Sequence, residues 1–176
     1  GLFPDGTPLS KRVLLTLYRK IAEGRPVHKQ ALASLLNIDE LDLKIILDEL
    51  PPSNIVFDKE DYIIGYRGLS QEPSDHHLMI KGIKLYAWCA FDCLFIPELL
   101  GCKIEVKSQC PETKEEIHLI LSPNTIDKMC PQTIFVSFIT PDLDTYQSDL
   151  RRNFCCHVNF FSSEEAGNSW TKRNEG

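Results

Sequence analysis

Apolar positions follow two regimes along the chain, and the change falls near residue 70. Between Leu9 and Ala22 they recur at Leu14, Leu17, Tyr18 and Ile21, one face of a helix, which Gly24 and Pro26 end. His28 to Leu36 reads as a short second helix. Asn37 or Asp39 can cap a third, with Leu43, Ile46, Leu47 and Leu50 on one face before Pro51-Pro52 stops it. Residues 54–57 and 62–64, on either side of a polar turn from Asp58 to Asp61, read as two short strands. Three helices and a two-stranded wing predict a winged helix-turn-helix-like module over residues 1–70.

Beyond it the pattern changes. Residues 69–80 read as a linker leading into a strand, polar with a proline from Gln71 to Asp75 and apolar from His77 to Ile80. Ile83 to Leu100 is the most apolar stretch and reads as a buried helix. Lys84, Asp92 and Glu98 inside it argue against a membrane span. Lys103–Lys107, Ile117–Leu121, Thr133–Ile139 and Cys155–Phe161 read as strands. Ser122-Pro123 reads as the start of a short helix, Pro141–Arg152 as helical, and Ser162–Trp170 as a last helix capped by serine. Residues 71–176 are therefore expected to form an α+β domain around a mostly antiparallel sheet with short helices, and the whole chain is placed in the α+β class.

Charge alters the first expectation. The chain has 176 residues and a net charge of −6, so no global positive field favours nucleic acid. Residues 1–68 carry nine Lys or Arg against ten Asp or Glu. The third helix, in the position that reads DNA, bears Asp39, Glu40, Asp42, Asp48 and Glu49 against Lys44 alone. Phosphates repel such a helix, so the module is expected not to bind DNA. Seven cysteines, an odd number, without a secretory apolar run at the start, suggest reduced thiols in a cytoplasm rather than a disulfide framework.

The chemistry concentrates in two segments. In Leu85-Tyr-Ala-Trp-Cys-Ala-Phe-Asp-Cys-Leu-Phe-Ile96, a helix would put Cys89, Asp92 and Cys93 on one face. Burial would raise the proton affinity of Asp92 and make it a usable general acid; as an alternative it caps a helix or pairs with Arg151 or Arg152. In Phe154-Cys-Cys-His-Val-Asn-Phe160, a strand would send Cys155 and Cys156 to opposite faces, so one of them at most joins Cys89. His157 reads as packed or surface, and His76 and His77 as a solvated pair on opposite faces of a strand. Cys89 and Cys93 are the nearest match to a zinc pattern, but on a helix rather than a knuckle. Two cysteines with a carboxylate suit a soft metal, although a Cys-His-Asp hydrolase also fits the residue types. No glycine-rich phosphate loop is present.

Tyr86-Ala-Trp-Cys-Ala-Phe-Asp92 together with Phe154-Cys-Cys-His-Val-Asn-Phe-Phe161 resembles the organomercurial (alkylmercury) lyase family. Gly24-Arg-Pro-Val27, Ile63-Ile-Gly-Tyr66, Phe95-Ile-Pro97, Leu100-Gly101 and Ser122-Pro123 extend the likeness over most of residues 14–170. The resemblance implies protonolysis of a carbon–mercury bond to a hydrocarbon and Hg(II), in mercury detoxification. It implies Cys89, Asp92 and Cys155 as catalytic residues, which also hold the bound organomercury or Hg(II) product. It makes Cys156 a neighbour rather than the principal ligand and Cys110 structural, and it leaves Cys93 to fill the core or compete for mercury. It implies no organic cofactor, small thiols for turnover, organomercurials as substrates, mercuric reductase as acceptor of Hg(II), and neither nucleic acid nor membrane as a partner. The family usually continues past the position of Trp170 with a further segment, whereas this sequence stops at Gly176. The rival expectation is a thiol-based metal or redox sensor, which needs a basic DNA face.

Overall fold

A computed structural model describes residues 7–139 and 149–174. Helix α1 spans Pro8–Ile21, α2 Lys29–Leu36 and α3 Glu40–Asp48. Each begins or ends on a residue suited to it. Thr7 Oγ1 accepts the Ser10 N–H at 3.1 Å with Pro8 in the first turn, Asn37 closes α2 in the left-handed region, and Asp39 accepts the Leu41 N–H at 2.7 Å. The wing follows as β1 (Ile55–Phe57) and β2 (Ile63–Tyr66), antiparallel. The only base on α3, Lys44, is ion-paired to Asp48.

The sheet does not stop at residue 70. Within the segment read as a linker lies β3 (Leu69–Ser70), which pairs with β2 on one side and with β5 (Ile83–Ala87) on the other. Adding β4 (His76–Ile80), β6 (Ile104–Gln109), β7 (Glu116–Ser122) and β8 (Thr125–Cys130) gives one antiparallel sheet of eight strands in the order β1-β2-β3-β5-β4-β6-β7-β8. Alternation on β6 and β7 buries Ile104, Val106, Ile117, Leu119 and Leu121. Helix α4 (Ala90–Leu100) packs on that face against β4, β5 and β7. Val13, Leu14, Leu17 and Ile21 of α1 form a core with Leu32, Leu43 and Ile63, where α1 meets β2 and β3.

Several sequence expectations are corrected. The apolar run from Ile83 is a strand and then a helix. Lys81 and Gly82, at φ +50° and +82°, turn a two-residue hairpin that pairs β5 with β4, and helical structure begins only at Ala90. Ser122-Pro123 opens no helix: with Asn124 at φ +60° it turns β7 back into β8, as proline followed by a left-handed residue favours. The strand read over 133–139 narrows to β9 (Phe135–Val136), and Cys155–Phe161 is a 3-10 turn, Cys155–His157, leading into β10 (Phe160–Phe161), which pairs with β9. Of the helix read over 141–152, the part before residue 149 lies outside the described residues; Leu150–Asn153 is helical. The last helix is Glu164–Asn174, with Ser163 Oγ accepting the Ala166 N–H. Among the described residues, no helix is long and apolar enough to cross a membrane.

His76 and His77 do face opposite ways, but only His77 is exposed. The His76 ring is buried edge-on to Phe160, and its Nδ1 shares a 2.8 Å hydrogen bond with Ser108 Oγ. Burial lowers its pKa to about 4, against the opposing charge of Asp75. Above pH 6.5 the neutral ring is at home in both states and stability is full. As pH falls towards 4 the unfolded chain takes up a proton that the fold refuses, and stability drops. Urea unfolding should show about 2 kcal/mol more loss between pH 7.5 and pH 5 for the native chain than for His76→Gln. Equal losses would mean that His76 titrates normally in the fold.

Candidate active site

The junction between β5 and α4 places the first two groups. Cys89 is the N-cap of α4, extended at φ −151° and ψ 173°, and Asp92 is its third helical residue. The pair forms a capping box, in which Asp92 reaches back to the Cys89 amide and the Cys89 side chain accepts the Asp92 amide. Both the Cys89 N–H and the Cys89 thiol lie 3.1 Å from Asp92 Oδ2. The helix-cap alternative for Asp92 is therefore met by the same geometry that faces its carboxylate to a thiol. Cys155 arrives on the 3-10 turn, which is tied to the start of α4 by the Ala90 N–H donating to the Val158 carbonyl at 3.1 Å. Cys89 Sγ, a carboxylate oxygen of Asp92 and Cys155 Sγ all lie within 4.8 Å of one another.

Electrostatics favour the protonated forms. Burial pushes Asp92 up to about 6, although the hydrogen bonds from Cys89 and the charge of Arg67 pull the other way. A hydrogen bond with Cys155, then burial and the Asp92 carboxylate, hold the Cys89 thiol well above its usual range. The cation that reaches Asp92 is thus Arg67, not Arg151 or Arg152. Arg151 pairs with Glu72 at 3.2 Å and lies over the Trp88 ring at 5.1 Å. The turn between β2 and β3, Arg67-Gly68, abuts the carboxylate. In the sequence it shows only as a tight turn after a strand.

The remaining thiols lie apart. Cys93 is buried, and its Sγ donates to the Cys89 carbonyl at 3.4 Å. Cys110 is buried in the turn after β6, where it accepts the Thr113 N–H at 3.5 Å. Cys156 is exposed and donates to the Arg152 carbonyl at 2.7 Å. Successive residues of a tight helical turn also point apart, so Cys155 and Cys156 diverge for a reason other than strand alternation. A cavity of about 890 Å³ between β1 and this turn is lined by Val56, Trp88, Arg151, Cys155 and Cys156. Phe91 and Phe154, chain neighbours of Asp92 and Cys155, pack edge-to-face with each other and with Phe138 at centroid distances of 5.4–6.1 Å.

Known proteins are similar to this chain over most of its length. The family model described as alkylmercury lyase matches residues 69–176. An alkylmercury lyase of Pseudomonas putida is 34% identical over 164 residues, 93% of this chain and 74% of that protein. The chain belongs to the alkylmercury lyase family. Membership makes it an enzyme of organomercurial carbon–mercury bond cleavage. An alkylmercury lyase of Bacillus cereus is 33% identical over 172 residues, 98% of this chain and 76% of that protein. A crystal structure of the mercury-bound form of MerB2 has the same fold, with a TM-score of 0.85 and 23% identity over 99% of this chain and 84% of that one. The α+β architecture read from the sequence agrees with that fold.

Proposed function

We propose that Cys89 and Cys155 bind the mercury of R–Hg–SR′ and that Asp92 carries the proton to the leaving carbon. The observation that carries this reading is the meeting of two buried thiols with one half-buried carboxyl within 4.8 Å. Soft mercury prefers thiolate. The first enzyme thiol displaces R′SH, its own proton leaving with the departing thiol. The second thiol gives its proton to the Asp92 carboxylate as its sulfur joins mercury. Two sulfurs raise the electron density on the metal and make the carbon more basic. The Asp92 carboxylic acid then protonates that carbon, the carbon–mercury bond breaks, and R–H departs. Hg(II) stays on the two sulfurs beside a carboxylate restored to its ionised form. One carboxyl so acts as base and then acid, and a proton affinity near neutral suits both tasks. Phe91, Phe138 and Phe154 give an alkyl or aryl group an apolar wall.

Turnover then needs a thiol acceptor for Hg(II). We assign that part to small thiols, with mercuric reductase as the final acceptor in the cytoplasm, in mercury detoxification. The acidic α3, its single lysine paired, supports a structural rather than DNA-reading module. Headspace chromatography over the protein with phenylmercury or methylmercury and excess small thiol should show benzene or methane well above a protein-free blank, and in D₂O the hydrocarbon should carry one deuterium. Release at the blank rate would refute the reaction, and release without solvent-derived deuterium would refute protonolysis.

A further inference from the structure

Gly68 sits in the β2–β3 turn at φ +92°, with its bare Cα against Asp92. A Cβ at that position would lie 2.3 Å from Asp92 Oδ1, 2.4 Å from Cγ and 2.8 Å from Cβ, closer than any side chain tolerates. The carboxylate is thus bounded on two sides. Cys89 engages Oδ2 through its amide and thiol, and the backbone of Gly68 closes the space beside Oδ1. The turn is itself held at two points. The Arg67 N–H donates to the carbonyl of buried Asn54 at 3.0 Å, and the Gly68 carbonyl accepts the N–H of Trp88, the residue before Cys89, at 2.9 Å.

We propose that Gly68 is a positioning residue of the reaction, the backbone stop that fixes the Asp92 carboxylate against the two sulfurs. Its place in the chain matters, because it precedes residues 69–176, the span matched by the family model. The N-terminal module is on this view a structural part of the catalytic centre, contributing one wall of it. The proposal rests on the proton-carrier reading of Asp92.

A control for backbone strain is available within the same protein. Gly82 has a similar positive φ, +82°, but nothing lies within 4 Å of where its Cβ would be. Alanine strains the chain at both positions and collides with Asp92 only at residue 68. Gly68→Ala should still take up one phenylmercury per chain, seen by mass spectrometry, yet release benzene about 10²-fold more slowly in a single turnover, as a misplacement near 1 Å does. KM for phenylmercury should change little, and Gly82→Ala should release benzene at the native rate. Equal release rates from the two variants would overturn the proposal. Should Gly68→Ala fail to fold, Gly68→Ala/Asp92→Gly decides the matter beside Asp92→Gly alone: removing the whole side chain removes every colliding atom and should restore folding, and a pair that stays unfolded while Asp92→Gly folds overturns the proposal. Asp92→Asn, run alongside, separates the two readings. Normal release from Gly68→Ala with slow release from Asp92→Asn refutes the positioning role alone, whereas normal release from both refutes the proton carrier as well.

Discussion

Cys89→Ser and Cys155→Ser should each abolish carbon–mercury cleavage, while Cys156→Ser keeps most of it. Serine nearly matches cysteine in size, so the fold survives at both sites. What is lost is the ligand: a hydroxyl is a hard oxygen with no useful anionic form near neutral pH, and mercury holds to soft thiolate. With one sulfur gone, mercury bears a single thiolate, the carbon gains too little electron density to take a proton, and the captured organomercurial stays intact on the remaining thiol. Mass spectrometry should then find R–Hg on each single variant and hydrocarbon from neither. Cys156, exposed and bonded to the Arg152 carbonyl, points away from the pair. Loss of release in Cys156→Ser with full release in Cys155→Ser would show that the exposed thiol is the ligand.

The three groups of this centre are legible in the sequence as residue types in two motifs, but local structure brings them together by a route other than helical spacing and strand alternation. Helical spacing puts Cys89 and Asp92 on one face, and they do meet; yet Cys89 is the cap that precedes the helix, and a strand occupies the first five residues of the run read as helical. The reason is local. Lys81-Gly82 forces a hairpin, and a high density of apolar residues looks alike in a buried strand and a buried helix. Cys155 and Cys156 diverge as expected, but on a 3-10 turn. Arg67 and Gly68 are not legible in the sequence, because a two-residue turn carries no chemical signature until a distant helix is laid against it. The wing, by contrast, read cleanly, since Pro51-Pro52 and the Asp58–Asp61 turn punctuate it sharply.

Asp92→Asn should fold, capture the organomercurial and release hydrocarbon about 10²- to 10⁴-fold more slowly, the range over which positioned acid–base groups act. Asparagine keeps the carbonyl oxygen that accepts the Cys89 N–H, so the start of α4 stays capped. It cannot take a proton from sulfur or give one to carbon. The sign of the stability change is also set. Folding raises the proton affinity of Asp92 from 3.8 to about 6, so this group favours the fold most at low pH and loses that contribution as pH rises through 6. At pH 7.5 the native chain carries an ionised, half-buried carboxylate that the amide replaces with a neutral group, and the melting temperature of Asp92→Asn should be unchanged or higher. Melting, adduct mass and single-turnover release measured on one preparation test both parts. Near-native release from a folded Asp92→Asn protein would sink the proton carrier and leave the two-sulfur mercury site standing.

The eight-stranded sheet leaves no seam at residue 70 along which evolution or an engineer could cut. Where a winged helix hangs from a flexible tether it can be shuffled between genes as a cassette. Here β2 is joined to β3, and β3 to β5, by main-chain pairing. A gene shortened to begin at Leu69 would encode a two-residue strand with one side bare, an edge open to pairing with other chains. Such a product invites aggregation before it meets any substrate. Grafting this chemistry onto another scaffold therefore means carrying over the wing together with the thiols, so that β3 keeps its partner.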